Sequence, residues 1–268
     1  MSFAAEALSR DAFLDGRLHL WQPRHGYRAA TDPVLLAAFV PARPGEAVLE
    51  LGCGVGTALL CLGRRVPGLA LHGLELQADY AELARRNAEE NAIPATIHTG
   101  AVQAVPAPLQ RLHFDHVLMN PPYFVEDSAT AAHDAGRDAA NREAGGAGLT
   151  AWIDAGLRRL RPGGRLVLVQ RAERLAEILA GLGARAGSVE ILPLAPRAGR
   201  PAGRVLVRAR KGRRAPLALL PPLTLHEGDA HLRDGDDYTD QARRVLRHMS
   251  ELTHSYLLPD ARSGGKEH

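Results

Sequence analysis

The sequence predicts an α/β fold: a doubly wound, mostly parallel seven-stranded sheet that closes in an antiparallel C-terminal hairpin. Three observations carry this. From residue 46 onward, short apolar runs alternate with longer amphipathic ones, the pattern of strands joined by crossover helices. A glycine-rich turn, Gly52-Cys53-Gly54-Val55-Gly56, sits where the first apolar run ends and the first helical run begins. A later apolar run, Phe114–Met119, stops at Asn120-Pro121-Pro122-Tyr123, where two prolines that cannot donate a backbone N–H end the ladder.

Taken in order, residues 1–13 read as a frayed amphipathic lead-in. Residues 14–40 read as a short ordered segment and a helix, with Thr31 or Asp32 as N-cap and Pro33 at its first position. Strands are expected near 47–51, 69–75, 95–99, 114–119 and 165–171. Helices are expected near 56–65, 77–91, 149–160 and 172–182. Arg161-Pro162-Gly163-Gly164 stops one helix and feeds the fifth strand. Runs near 188–194 and 204–210 supply the hairpin. Residues 125–148, rich in Ala, Gly and charge, form a long loop that leaves the end of the fourth strand, and loops of that length usually carry a function or are disordered. The tail beyond 251 reads as loose. Three regions result: 1–45 preceding the glycine turn, 46–215 containing the sheet, and a C-terminal extension over 216–268.

Composition bounds the alternatives. The chain has 268 residues, 46% hydrophobic and 24% charged, as expected of a globular protein with one large core. No stretch reaches eighteen apolar residues without a charge, so no membrane span is expected. The start, Met1-Ser2-Phe3-Ala4-Ala5-Glu6, lacks the basic and apolar regions of a secretory signal, and a cytoplasmic location is expected. Cys53 and Cys61 read as small buried hydrophobes. The twelve histidines are scattered without zinc-ligand spacing, so no metal is expected. Oligomeric state is not legible.

Two constellations suggest chemistry. In the first, Val48-Leu49-Glu50-Leu51 enters the glycine turn and an apolar helix leaves it; a second strand ends in Glu75. A carboxylate there typically accepts ribose hydroxyls of an adenosine-bearing ligand. The glycine spacing is G-x-G-x-G rather than the dinucleotide G-x-G-x-x-G, and Glu50 places negative charge where a pyrophosphate would lie. A cationic, phosphate-free ligand such as S-adenosylmethionine fits better, with Glu50 helping to orient its ammonium end. In the second, Asn120 and the Pro121 carbonyl project from a strand end beside Tyr123. In an open α/β sheet that edge is where ligands bind. A planar amine could stack on Tyr123 while donating to the Asn120 side-chain oxygen and the Pro121 carbonyl. As a strand terminator alone, Asn-Pro-Pro would explain less, because it would not account for the first constellation upstream.

Together these motifs resemble the class I S-adenosylmethionine-dependent methyltransferases that act on exocyclic or amide nitrogen. More narrowly, the chain resembles the bacterial tRNA(Val) adenine-N6 methyltransferase family, over roughly residues 14–215. Gly26–Leu36, Asn120–Phe124 and Pro196–Arg204 add to the likeness. The resemblance implies a Rossmann-like methyltransferase fold, S-adenosylmethionine as cofactor and RNA, most simply tRNA, as partner. It implies catalytic roles for Asn120, Pro121 and Tyr123. It implies cofactor contacts from Tyr27, Thr31, Asp32, Glu50, Gly52, Cys53, Gly54, Gly56, Glu75, Leu76, Gln103 and Asn120. Pro122, Tyr123, Phe124, Arg137, Arg142, Arg197 and Arg200 are the expected substrate contacts. Many relatives carry an acid after the third strand; here Thr99-Gly100-Ala101-Val102-Gln103 has none, so backbone groups or Gln103 would meet the cofactor's adenine.

Net charge is only +3, but nine Lys or Arg stand between Arg185 and Arg214 against the single acid Glu190, a composition that favours a polyanion. The rival functions are glutamine methylation in a protein, DNA adenine methylation, and RNA binding without catalysis. About 45 residues before the glycine turn are too few for the helical substrate domain that glutamine methyltransferases usually carry there.

Overall fold

The computed structural model describes residues 3–123, 148–229 and 237–252. The central sheet contains all seven expected strands. They are β3 (Ala47–Leu51), β4 (Ala70–Glu75), β5 (Ala95–Thr99), β6 (Phe114–Met119), β7 (Leu160–Arg171), β8 (Ala186–Arg197) and β9 (Arg204–Lys211). Two short strands, β10 (Ala218–Leu219) and β11 (Leu223–His226), pair with β8 and extend the sheet to nine. Its order is β10-β8-β9-β7-β6-β3-β4-β5, parallel from β7 to β5, with β9 running antiparallel between β7 and β8.

Helices cover both faces, as strands buried on both sides require. One face carries α1 (Thr31–Phe39), α2 (Thr57–Arg65), α3 (Ala78–Glu90) and the C-terminal α7 (Asp240–His248). The other carries the short α4 (Ala107–Gln110) together with α5 (Leu149–Arg159) and α6 (Leu175–Leu182). Each face has its own apolar cluster. Phe39, Leu60, Leu118, Leu206, Leu223 and Val245 belong to the first; Leu109, Phe114, Trp152, Ile178 and Val207 belong to the second. The C-terminal extension thus shares a core with α1, and Leu252 N–H donates to the Ala38 carbonyl at 2.9 Å.

Two expectations are corrected. The lead-in is not frayed: β1 (Leu8–Phe13) pairs antiparallel with β2 (Leu18–Pro23). The turn between them runs through Leu14, Asp15 and Gly16, all at positive φ. The outer edge of β2 is satisfied by amides rather than by another strand. Asn87 Oδ1 accepts from Trp21 N–H at 2.8 Å and Asn91 Oδ1 from His19 N–H at 3.0 Å, while their Nδ2 groups donate to the carbonyls of the same two residues. Asparagines one helical turn apart match residues two apart on a strand, because both spacings are near 6 Å. The second correction is the start of α1. Ala30 is its N-cap and Thr31 its first residue, so Pro33 stands third rather than first, and no side chain caps the helix, because the Asp32 carboxylate is drawn to Tyr123 and Arg204.

No described helix is long and apolar enough to cross a membrane, and no group of three or more His, Cys, Asp or Glu among the described residues could hold a metal.

Candidate active site

The parallel strands deliver β3, β4 and β6 to one edge, and their carboxyl ends frame a cavity of about 490 Å³. That size is typical of a small-molecule site, roughly 300–1,000 Å³. Gly52 and Gly54 come from the turn after β3, Glu75, Leu76 and Gln77 from the end of β4, and Gly100, Ala101 and Val102 from the end of β5. Asn120, Pro121, Pro122 and Tyr123 follow β6, and Tyr27, Tyr80, Trp152 and Arg171 complete the wall.

Local chemistry fixes the glycine turn. Gly52 has φ +65°, and a Cβ there would lie 2.5 Å from Trp152 Cη2, so no other residue fits without moving the indole. Gly54 donates its N–H to Glu75 Oε2 at 2.8 Å, and Gln77 donates to Glu75 Oε1 at 2.9 Å. Glu75, which lines the cavity, is therefore oriented by backbone donors on both oxygens. Burial pushes its carboxyl above the ordinary value, partly offset by these donors.

Gly56 caps α2 from φ +87° and does not line the cavity. Cys53 is buried, with its thiol pushed well up by burial and then by the charges of Glu50 and Glu75. Glu50 is the clearest departure from the sequence reading. Its carboxylate points inward and accepts the Leu59 N–H at 2.8 Å, in the first turn of α2. It satisfies one of that helix's orphan donors, and it does not line the cavity. Burial raises its pKa well above the carboxylate range, with Glu75 adding to the rise.

The second constellation is held from below. Asn120 directs Nδ2 toward the Tyr27 hydroxyl at 3.4 Å, which leaves Oδ1 to accept. The Pro121 carbonyl receives Gln170 Nε2 at 3.3 Å, and the Pro122 carbonyl receives Gln170 Nε2 at 3.5 Å and Arg174 Nη1 at 3.3 Å. Tyr123 donates its hydroxyl to Asp32 Oδ2 at 2.6 Å, and Asp32 Oδ1 meets Arg204. Burial, then the charge of Asp32, drives the Tyr123 hydroxyl far above its ordinary value, so it stays a donor. The Arg171 guanidinium lies 6.0 Å from the centre of its ring.

Tyr27 is 44% exposed at the cavity mouth. Its segment is tied down by Arg28 to Asp11 at 2.7 Å and by Ala29 N–H to Gln22 at 2.8 Å. The β1–β2 hairpin thus positions this wall.

Several predicted residues lie elsewhere. Thr31 and Asp32 do not line the cavity, Asp32 standing behind Tyr123, and Gln103 is exposed outside it; Ala101 and Val102 line that end instead. Arg197 is 8% exposed, turned inward to Asp237 at 2.7 Å and to the Glu227 and Gly228 carbonyls, so it is removed from the substrate contacts. Arg200 is exposed on the turn after β8. Phe124, Arg137, Arg142 and the predicted loop over 125–148 fall, except for Gly148, outside the described residues. Sequence reasoning missed Trp152, Gln170 and Arg174. Gln170 had a signal, as the one amide ending the apolar run Leu166–Val169.

A ligand with ribose hydroxyls, an adenine and a short cationic chain would fit these groups and walls: Glu75 could accept from the hydroxyls, Ala101 and Val102 could face the ring, and the glycine turn could take the chain. S-adenosylmethionine has those parts.

Comparison with known proteins agrees. The chain matches the model of the methyltransferase small domain over residues 30–192. A tRNA1(Val) (adenine(37)-N6)-methyltransferase of Aeromonas hydrophila is 30% identical over 198 residues, covering 73% of this chain and 82% of that protein. A protein of the same name from Tolumonas auensis is 29% identical over 170 residues, covering 63% and 70%. Relatives of that name from Yersinia enterocolitica and Salmonella paratyphi B are matched over 47% and 51% of their length. Among solved structures, a predicted O-methyltransferase from Agrobacterium tumefaciens aligns with a TM-score of 0.63 and 30% identity, covering 80% of this chain and 94% of its own.

Proposed function

This chain belongs to the methyltransferase small domain family, and on that premise we propose that it transfers a methyl group from S-adenosylmethionine to the exocyclic N6 of an adenine in RNA, most directly a tRNA. The observation that carries the reading is the pair of acceptors, Asn120 Oδ1 and the Pro121 carbonyl, beside the Tyr123 ring on the wall of the cavity that Glu75 and the glycine turn also line.

Adenine's amine is a poor nucleophile because its lone pair is delocalised into the ring. Two acceptors that take both of its hydrogens favour a pyramidal nitrogen and aim the lone pair into the cavity. When bound, S-adenosylmethionine supplies a methyl already activated on a sulfonium, so positioning does most of the work. Positive charge developing on the nitrogen is stabilised by the same two acceptors. An amide suits this place because it accepts without adding a charge to a buried site.

Tyr123 offers the base a stacking face worth about 1–3 kcal/mol. Asp32 and Arg204 hold the ring from behind, and Gln170 holds the Pro121 carbonyl. The base would have to be splayed from its loop to enter. The tRNA names of the relatives support RNA as the substrate.

The test incubates the protein with methyl-labelled S-adenosylmethionine and, separately, unmodified tRNA, ribosomal RNA, DNA and release factor, then digests each and identifies the labelled product. N6-methyladenosine from tRNA is the expected result. Label confined to release factor would move the activity to glutamine methylation.

A further inference from the structure

The basic residues of the β8–β9 hairpin do not gather around the cavity. Register divides them between the two ends of the sheet. Arg204 stands opposite Arg171 at the cavity edge, whereas Arg210 stands opposite Arg165, six residues farther along β7, and Lys211 opposite Ala186. At about 3.3 Å per residue the two groups are roughly 20 Å apart.

At the far pole, the end of α5, the start of β7 and the turn after β9 meet. The cations there are held by neutral carbonyls. Lys211 Nζ donates to the Leu160 carbonyl at 2.7 Å, Arg210 Nε to that of Gly163 at 3.3 Å, and Arg159 to those of Leu109 and Gln110. Neighbouring carboxylates are already engaged: Asp115 with Arg161, Asp154 with Arg185, Glu190 with Arg208, and Glu46 with His116. Among the described residues, Arg159, Arg165, Arg210, Lys211, Arg213 and Arg214 have no carboxylate at ion-pair distance. They crowd one another as well. Arg165 is held below its ordinary pKa by burial and then by Arg210 and Arg208, with the more distant charges of Glu46 and Glu190 opposing, and Lys211 by burial and then by Arg159.

Repulsion of this kind is relieved by an incoming anion. The shape of the patch indicates which. Arg165 and Arg210 lie on the α1 side of the sheet, Lys211 and Arg159 on the α5 side, and Arg213 and Arg214 on the exposed turn beyond. A spread of guanidinium groups around a sheet end does not converge on one small ion. It suits a row of phosphates, which guanidinium groups bind bidentately.

We infer that this pole is a second RNA-contact surface, gripping the phosphate backbone of a substrate whose methylated base enters the Asn120 cavity some 20 Å away. The substrate is then a folded RNA extending well beyond one loop, and the inference rests on the RNA reading of the cavity.

The test uses the full chain carrying R213E and R214E together, with R213Q and R214Q as a milder pair. Neither arginine belongs to the cavity. Affinity for unmodified whole tRNA and for isolated anticodon stem-loops is measured against salt concentration, with S-adenosylmethionine affinity as a control. Losing two phosphate contacts should lower the slope of log K against log salt by about 1.5. Affinity for whole tRNA near physiological salt should fall about tenfold, while stem-loop and cofactor affinities stay unchanged. An unchanged slope with whole tRNA, or an equal loss with the stem-loop, overturns the inference. If the wild-type chain methylates no RNA, the proposed function fails by itself, and the difference in binding slope still decides the pole.

Discussion

The buried amide of Gln170 gives the most demanding prediction. Gln170 is fully buried, and Leu in its place would keep the volume while removing every polar contact. Its Nε2 donates to the Pro121 carbonyl at 3.3 Å and the Pro122 carbonyl at 3.5 Å, and its Oε1 accepts the Arg171 N–H at 2.9 Å. Pro122 would keep Arg174 as a donor. Two groups then lose this partner, the Pro121 carbonyl and the Arg171 N–H. At about 1–3 kcal/mol for a buried group left unsatisfied, with the Pro121 carbonyl as the group that counts, Gln170→Leu should cost roughly 1–3 kcal/mol. For a chain of this size that is a fall in Tm of roughly 2–12 °C. The Pro121 carbonyl also loses what fixes it against the target amine, and misplacement on the ångström scale costs up to ~100-fold in rate. Thermal unfolding and single-turnover methyl transfer, with cofactor affinity measured in parallel, separate the two effects. A lower Tm with an unchanged rate would make Gln170 a structural residue and refute its positioning role.

Asn120→Ala should leave S-adenosylmethionine affinity within a few-fold of wild type and lower turnover by about 10²–10³, the usual loss for one donor or acceptor aimed at developing charge; near-normal turnover in the labelled-methyl assay would remove Asn120 from the chemistry. Gly52→Ala places a methyl 2.5 Å from the Trp152 ring at φ +65°, so a loss of about 1–3 kcal/mol in stability and weakened cofactor binding are expected by unfolding and calorimetry; an unchanged Tm would mean the indole moves freely. Burial holds the Glu75 carboxyl above its ordinary value, and the two consequences have opposite signs. The raised folded-state pKa means that, over the interval between the unfolded and folded values, this residue's contribution to stability falls as pH rises. Cofactor affinity, which needs the carboxylate, falls as pH drops through the same raised value, hence above the range near 4.3 where an exposed glutamate titrates. Calorimetric titrations from neutral to mildly acidic pH should show that loss, and Glu75→Gln should abolish its pH dependence.

How much of this was legible in the sequence follows from which physical signals are local. The strand-helix alternation was readable because each of β3 to β7 contains an apolar run bounded by turn residues, and all seven expected strands form. The β1–β2 hairpin was not readable. Leu8–Phe13 interleaves Ser, Arg and Asp without a β-branched residue, and β2 completes its outer edge with Asn87 and Asn91, about seventy residues away. Glu50 shows the converse failure. A carboxylate beside a glycine turn suggests a ligand contact, yet the nearest unmet demand is the Leu59 N–H at the start of α2, only nine residues on. Helix ends compete for the same side chains that ligands use.

The two constellations and the basic hairpin differ in the direction of the strands that carry them. Parallel strands bring all their carboxyl ends to one edge, so Gly52, Glu75 and Asn120 must converge whatever their register. An antiparallel strand crosses from one edge to the other. Arginines at alternate positions of β9 are therefore carried from the cavity at Arg204 to the opposite pole at Arg210, and clustering in sequence becomes separation in space. The total charge of that segment was legible, but the direction of its strand decided which arginines could meet the reacting base. Arg204 meets Asp32 behind Tyr123, and Arg165 and Arg210, which have no carboxylate at ion-pair distance among the described residues, stand at the other end. If the substrate RNA is what they bind, it must be long enough to reach both ends of the sheet.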